Sequence, residues 1–163
     1  MPEKKTLKRA AQDKREGKAP STQAGEFVRE EIEHIREGKH GARSAKQAIA
    51  IGLSKARRAG VALPPPEKGT TSEATRERAK RALKAASKPG KPVARARSHA
   101  ACAKLKGESP AAASKTALSR HAKVAARMRT AAERSAAARK VAKTRGSAGG
   151  TGVVRKAARS RQK

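Results

Sequence analysis

Arg43, Lys46, Lys55, Arg57 and Arg58 cluster in one short stretch, and a second basic group, Lys123, Arg127, Arg129, Arg139 and Lys140, lies far downstream. Guanidinium and ammonium groups at this density suit one chemistry above others, the binding of phosphate oxygens. Some cations of the first group could instead pair with the glutamates just upstream. The second group has less choice, because residues 64–163 hold 27 basic and 5 acidic side chains. Ser44 opens a helix whose N-terminal N–H groups could also receive a phosphate. Nucleic acid is therefore the expected partner, held by its backbone, with log affinity falling by ~0.9 per phosphate contact against log salt.

Other chemistries lack the residues they need. His34, His40, His99 and His121 are scattered without spaced carboxylate or cysteine partners, so no metal and no catalytic triad is expected. Cys102 is the single cysteine; with His99 nearby it still offers too few ligands for zinc. The glycines at 146–152 lack the strand and the lysine of a phosphate loop. The glutamates of the first predicted helix read as a salt-bridging face. Neither an enzyme nor a cofactor is expected.

Overall charge points the same way. The 163 residues carry 42 Lys+Arg and 13 Asp+Glu, a net charge of +29. Charge of this size speaks of partners rather than of fold. No apolar run is long enough to span a membrane. No apolar stretch follows the N-terminus as a secretory signal requires, and Glu3, Asp13 and Glu16 argue against a transit peptide. A cytoplasmic protein at the nucleoid is expected. Trp and Tyr are absent and Phe27 is the single aromatic, so stacking on unpaired bases is not available. Duplex DNA is thus favoured over RNA, and backbone contact over base reading.

The elements that position these cations divide the chain in two. Residues 1–63 carry 15 basic and 8 acidic side chains, a net of +7, whereas 64–163 carry +22. Pro64-Pro65-Pro66 marks the boundary. Residues 1–19 read as a flexible N-terminus. Pro20-Ser21-Thr22 starts a helix with Ala24, Phe27, Val28, Ile32 and Ile35 along one face, stopped at Gly38. Ser44-Ala45-Lys46-Gln47 is a capping box opening a second helix, striped by Ala45, Ala48, Ile49, Leu53 and Ala56. Gly60 ends it, with Val61 folding back. An acidic and a basic helix joined by a short loop predict an αα-hairpin over 20–63. Gly52 would allow close approach, and a homodimer through the hairpin could stabilise so small a unit.

A Pro-rich linker over 64–72 follows, and then a basic tail over 73–163. Alanine supplies most of its apolar content, too little buried area to offset ordering entropy, so the tail reads as largely disordered or conditionally helical. Helical propensity is nevertheless high over 73–86, and over 111–143 it suffices for one helix of roughly 50 Å. Lys88–Pro92 and the glycines from Gly146 are the expected breaks. The fold class is all-α.

The segment KHGARSAKQAIAIGLSKARRAG (39–60) resembles a family of small basic proteins of bacteria and their phages with an "ARS-KQAIAIGLSKARRAG" core. The preceding GEFVREEIEHIREGKHG (25–41) is similar to the version in members with Ala/Lys-rich tails. The resemblance implies DNA binding, a label some members carry, and supplies no site residues. The tail is similar to histone H1 tails in composition. A nucleoid-associated, histone-H1-like DNA-binding protein is the leading expectation. An RNA- or ribosome-associated protein, or a protein-binding hairpin tethered to nucleic acid, stands as the alternative.

Overall fold

The computed structural model describes residues 2–86 and 95–147. It divides into two compact units, Met1–His121 and Ala122–Lys163. The described residues form helices α1 (Lys4–Arg15), α2 (Pro20–Arg36), α3 (Ala45–Arg58), α4 (Glu73–Ala86), α5 (Arg95–Lys106), α6 (Lys115–Arg127) and α7 (Ala131–Ser147), with a 3-10 turn at Pro110–Ala113. The all-α expectation holds.

α2 and α3 pair as expected. Pro20 occupies the first turn of α2, where its missing N–H costs nothing. Ser44 Oγ accepts from Gln47 N–H at 3.2 Å, and Gln47 Oε1 returns to Arg43 N–H at 2.9 Å, closing the start of α3. Gly60 is left-handed (φ 91°), Gly60 N–H reaches Arg57 O at 3.1 Å and Val61 N–H reaches Ala56 O at 3.1 Å. That pair of hydrogen bonds is a Schellman motif, and it tucks Val61 against Ala56 and Phe27. Gly17 and Gly38 end α1 and α2 with the same pair of bonds.

Contact between α2 and α3 is close because Gly52 faces Val28. A Cβ at Gly52 would lie 2.7 Å from Val28 Cα, a backbone atom that cannot step aside. Gly52→Ala is therefore expected to force the helices apart and to cost about 1–3 kcal/mol, the usual range for overpacking, measured by urea unfolding. A loss within error of zero would mean that α2 and α3 can part at Gly52 without cost to the core.

Residues 1–19 depart from the flexible reading. α1 packs on α2: Thr6 and Ala10 are buried one turn apart, and Ala10 joins the cluster of Ala24, Phe27, Ala56 and Val61. Polar ties complete the dock. Arg9 pairs with Glu26 at 3.6 Å, and Glu3 N–H donates to Glu30 Oε2 at 3.1 Å. An inward face of threonine and alanine gives no aliphatic periodicity, which is why the segment read as flexible.

The tail departs further. α4 forms over the expected residues and packs on α3, burying Ala79 and Ala82. A second core cluster joins Ile35, Ala42 and Ala48 to Ala112 and Ala113, so the 3-10 turn of the tail completes the hairpin. Three bonds fasten it: Gly41 N–H to Leu105 O (2.8 Å), Ala42 N–H to Ser109 O (3.2 Å) and Arg36 Nε to Ala113 O (3.0 Å). The smallest apolar side chain suffices here because backbones can approach, and Gly41 lies directly against the Glu108 carbonyl.

The single helix expected over 111–143 is broken twice. Hydroxyls make the breaks by competing for backbone N–H groups. Ser109 accepts from Ala111 N–H and Ser114 from Ala117 N–H, both at 3.1 Å. Thr130 accepts from Glu133 N–H at 3.2 Å while Glu133 returns to Thr130 N–H at 2.7 Å, a capping box that starts α7. That backbone bond, then the Thr130 hydroxyl, holds the Glu133 carboxyl below its usual pKa. The break expected at Gly146 is not made there, since α7 continues through Gly146 to Ser147; those expected at Lys88–Pro92 and Gly149-Gly150 lie outside the described residues.

Candidate nucleic-acid interface

The five cations of the hairpin separate into two sets. Arg43, Lys46 and Arg58 are exposed, Arg58 resting on Ser54 Oγ at 3.0 Å. Lys55 instead reaches across to α2, with Nζ 2.5 Å from Glu31 Oε2 and 3.7 Å from Glu30 Oε1. Arg57 turns inward: it is buried, and donates from Nε to Leu63 O (3.2 Å) and from a terminal nitrogen to Pro64 O (3.1 Å). Burial lowers its pKa, a direction without consequence for a group this basic. Arg57 thus pins the start of the proline segment, and Lys55 neutralises buried acid. Both are engaged within the fold, Lys55 in the pairing with upstream glutamates that the sequence left open as the alternative to phosphate and Arg57 on backbone carbonyls.

Spacing explains both. Lys55 sits where α3 crosses the acidic face of α2, and Arg57 lies one position from the helix end, where unpaired carbonyls gather. Ser44 caps α3 as expected, its hydroxyl accepting from Gln47 N–H, which leaves that helix end less open to the phosphate it could also have received.

Beside the exposed cations lies a cavity of about 560 Å³ between α3 and α4. Ile49, Ile51 and Ala79 line its apolar wall, while Lys46, Arg58 and Arg78 line it with charge. Arg78 comes from the segment that composition alone marked as tail.

Lys123, Arg127, Arg129 and Arg139 are exposed on α6, α7 and the turn joining them; Lys140 lies within α7, its side chain outside the described residues. Between 115 and 147 the sequence has one acid, Glu133, and that acid caps α7. Among the described residues no carboxylate pairs with Lys123, Arg127 or Arg139. Phe27, 1% exposed, can stack on nothing outside the core.

The histidines are not all scattered. His34 Nε2 lies 2.8 Å from Glu3 Oε1, and His40 Nε2 lies 3.3 Å from Glu31 Oε1. The two rings meet edge to face, centroids 6.3 Å apart. Glu31 and His34 stand three residues apart on α2, a spacing that puts both on one helical face and that the sequence reading passed over. The turn at Gly38 brings His40 back over that face. Glu3 is held below its usual pKa by the His34 hydrogen bond first and Lys39 second.

Comparison with known proteins covers the first three helices and the segment after them. Residues 4–68 match the model of DUF6496, a family of unknown function. The match begins on the first residue of α1 and runs through the segment that Arg57 pins, so it takes in α1 as well as the hairpin and stops short of the 3-10 turn that completes the second core cluster. No curated protein and no solved structure matches the chain.

Proposed function

We propose that this protein binds duplex DNA by phosphate neutralisation without reading base sequence, as a nucleoid-associated, histone-like protein. The observation that carries the reading is the set of exposed, unpaired cations on α6 and α7, in a stretch whose one acid is committed to a helix cap. Arg43, Lys46 and Arg58 add a smaller basic surface on α3. The burial of Phe27 supports backbone contact over base stacking.

The test is full-chain binding to duplex DNA and to structured RNA across a salt series. Affinity is expected to fall linearly in log–log terms, and replacing Lys123, Arg127 and Arg139 together by Gln is expected to flatten the slope by roughly one unit per cation removed. An unchanged slope would remove α6 and α7 from the interface. Preference for structured RNA of about tenfold or more would replace DNA by RNA as the partner, at equal salt. A truncated chain for such work has to end after His121, because a cut at residue 63 removes Ala112 and Ala113 from the core.

A further inference from the structure

The pairing of His40 with Glu31 poses a protonation problem. His40 Nδ1 lies 3.1 Å from Gly41 O. A carbonyl oxygen only accepts, so this contact places the hydrogen on Nδ1 and leaves Nε2 with its lone pair in the neutral ring. That lone pair faces Glu31 Oε1 at 3.3 Å. Two acceptors in such contact need a cation between them, either a proton or a metal ion.

Glu31 sharpens the need. It is 1% exposed, and neither of its carboxylate oxygens has a partner at hydrogen-bonding angles. Lys55 Nζ, close as it is, lies beside Oε2 and leaves Oε1 to the His40 side. A carboxylate taken out of water with an incomplete shell is costly unless further positive charge reaches it.

His34 completes a ligand set. One donor atom from each of Glu31, His34 and His40 lies within 4.8 Å of the others, a group that helix spacing and the Gly38 turn together create. Glu3 stands at the His34 ring, as an outer partner or a fourth oxygen. The Gly41 carbonyl on His40 Nδ1 is the kind of outer contact that fixes the tautomer of a metal-bound imidazole. Bonds of about 2.0–2.2 Å to Zn²⁺ would draw the donors together, which the half-buried His34 and His40 rings can follow by small rotations.

We propose that Glu31, His34 and His40 form a binding site for a divalent first-row metal of the zinc class. Two imidazoles and a carboxylate suit such an ion by ligand type. Bound there, it ties α2 to the loop at His40, and through Gly41 to the segment at Leu105. The site is independent of the nucleic-acid reading.

The full chain, stripped with a chelator and held at constant pH, is titrated with Zn²⁺ alone. Histidine ring resonances are followed by NMR and heat by calorimetry. His34 and His40 are expected to shift together up to one equivalent while His99 and His121 stay put. His34→Gln and His40→Gln are each expected to weaken binding by about tenfold or more, with His99→Gln unchanged. Rings of His34 and His40 that answer to pH but not to zinc would overturn the proposal and leave a proton between His40 and Glu31. So would equal zinc shifts at all four histidines. The ring shifts are read on the native chain, so the outcome does not depend on either variant folding.

Discussion

Lys55→Met is expected to cost about 3 kcal/mol or more of unfolding free energy, read by urea denaturation with chelator present. Lys55 is the ammonium that faces both buried carboxylates, Glu31 at 2.5 Å and Glu30 at 3.7 Å. Glu31 and Glu30 are 1% and 3% exposed, so neither can recover its hydration while the helices stay packed. Methionine keeps the length and apolar stem of lysine and removes the charge alone. What remains is buried negative charge, near His40 and the Glu3 N–H but without its ammonium.

A second substitution separates charge from packing. Glu31→Gln in the Lys55→Met chain is expected to restore more than half of the loss, because it removes the charge that Lys55 had balanced. Double-mutant coupling between contacting ionic groups of this kind falls in the range of about 0.5–3 kcal/mol. A Lys55→Met chain within about 1 kcal/mol of the native one would mean that water reaches Glu31 and that the pair is an ordinary surface bridge.

These residues also show how far the sequence could be read. The hairpin was legible because Phe27, Val28, Ile32 and Ile35 repeat at helical spacing and because Ser44, Gln47 and Gly60 are strong end signals. α1 and the 3-10 turn were not. Their inward residues, Thr6, Ala10, Ala112 and Ala113, are small ones that composition assigns to any surface helix. Their places in the core depend on backbones arriving from elsewhere, as Glu108 does at Gly41. The site divides on the same principle. Exposed cations were legible as a class, but which of them would be consumed internally turned on where α3 crosses α2. Lys46 and Lys55 stand on opposite faces of α3, Lys55 sharing the face of Ala48 and Gly52, but that the facing helix would set Glu31 against it depended on how α2 lies across α3. His34 and His40 looked unrelated until the Gly38 turn superposed them.

Phe27→Ala is expected to be as damaging as the loss of Lys55, at about 3–5 kcal/mol. Phe27 is 1% exposed and is the one large side chain in a cluster otherwise built of Ala10, Ala24, Ala56 and Val61, with Leu53 and Leu63 at its margin. Cavities are cheapest where neighbours can collapse into them, and here they cannot. Alanine has no side chain to extend, and α2 and α3 already approach to their limit where Gly52 meets Val28. The void therefore persists, and its first consequence falls on α1, whose apolar anchor Ala10 packs in the same cluster. Hydrogen exchange over residues 4–15 is expected to accelerate before that of α3, which keeps its capping box and Schellman turn. A uniform acceleration across all three helices would mean instead that α1 is integral to one cooperative unit. A loss near 1 kcal/mol would mean that the cluster refills, and that the alanine-built core is softer than its close backbone contacts imply.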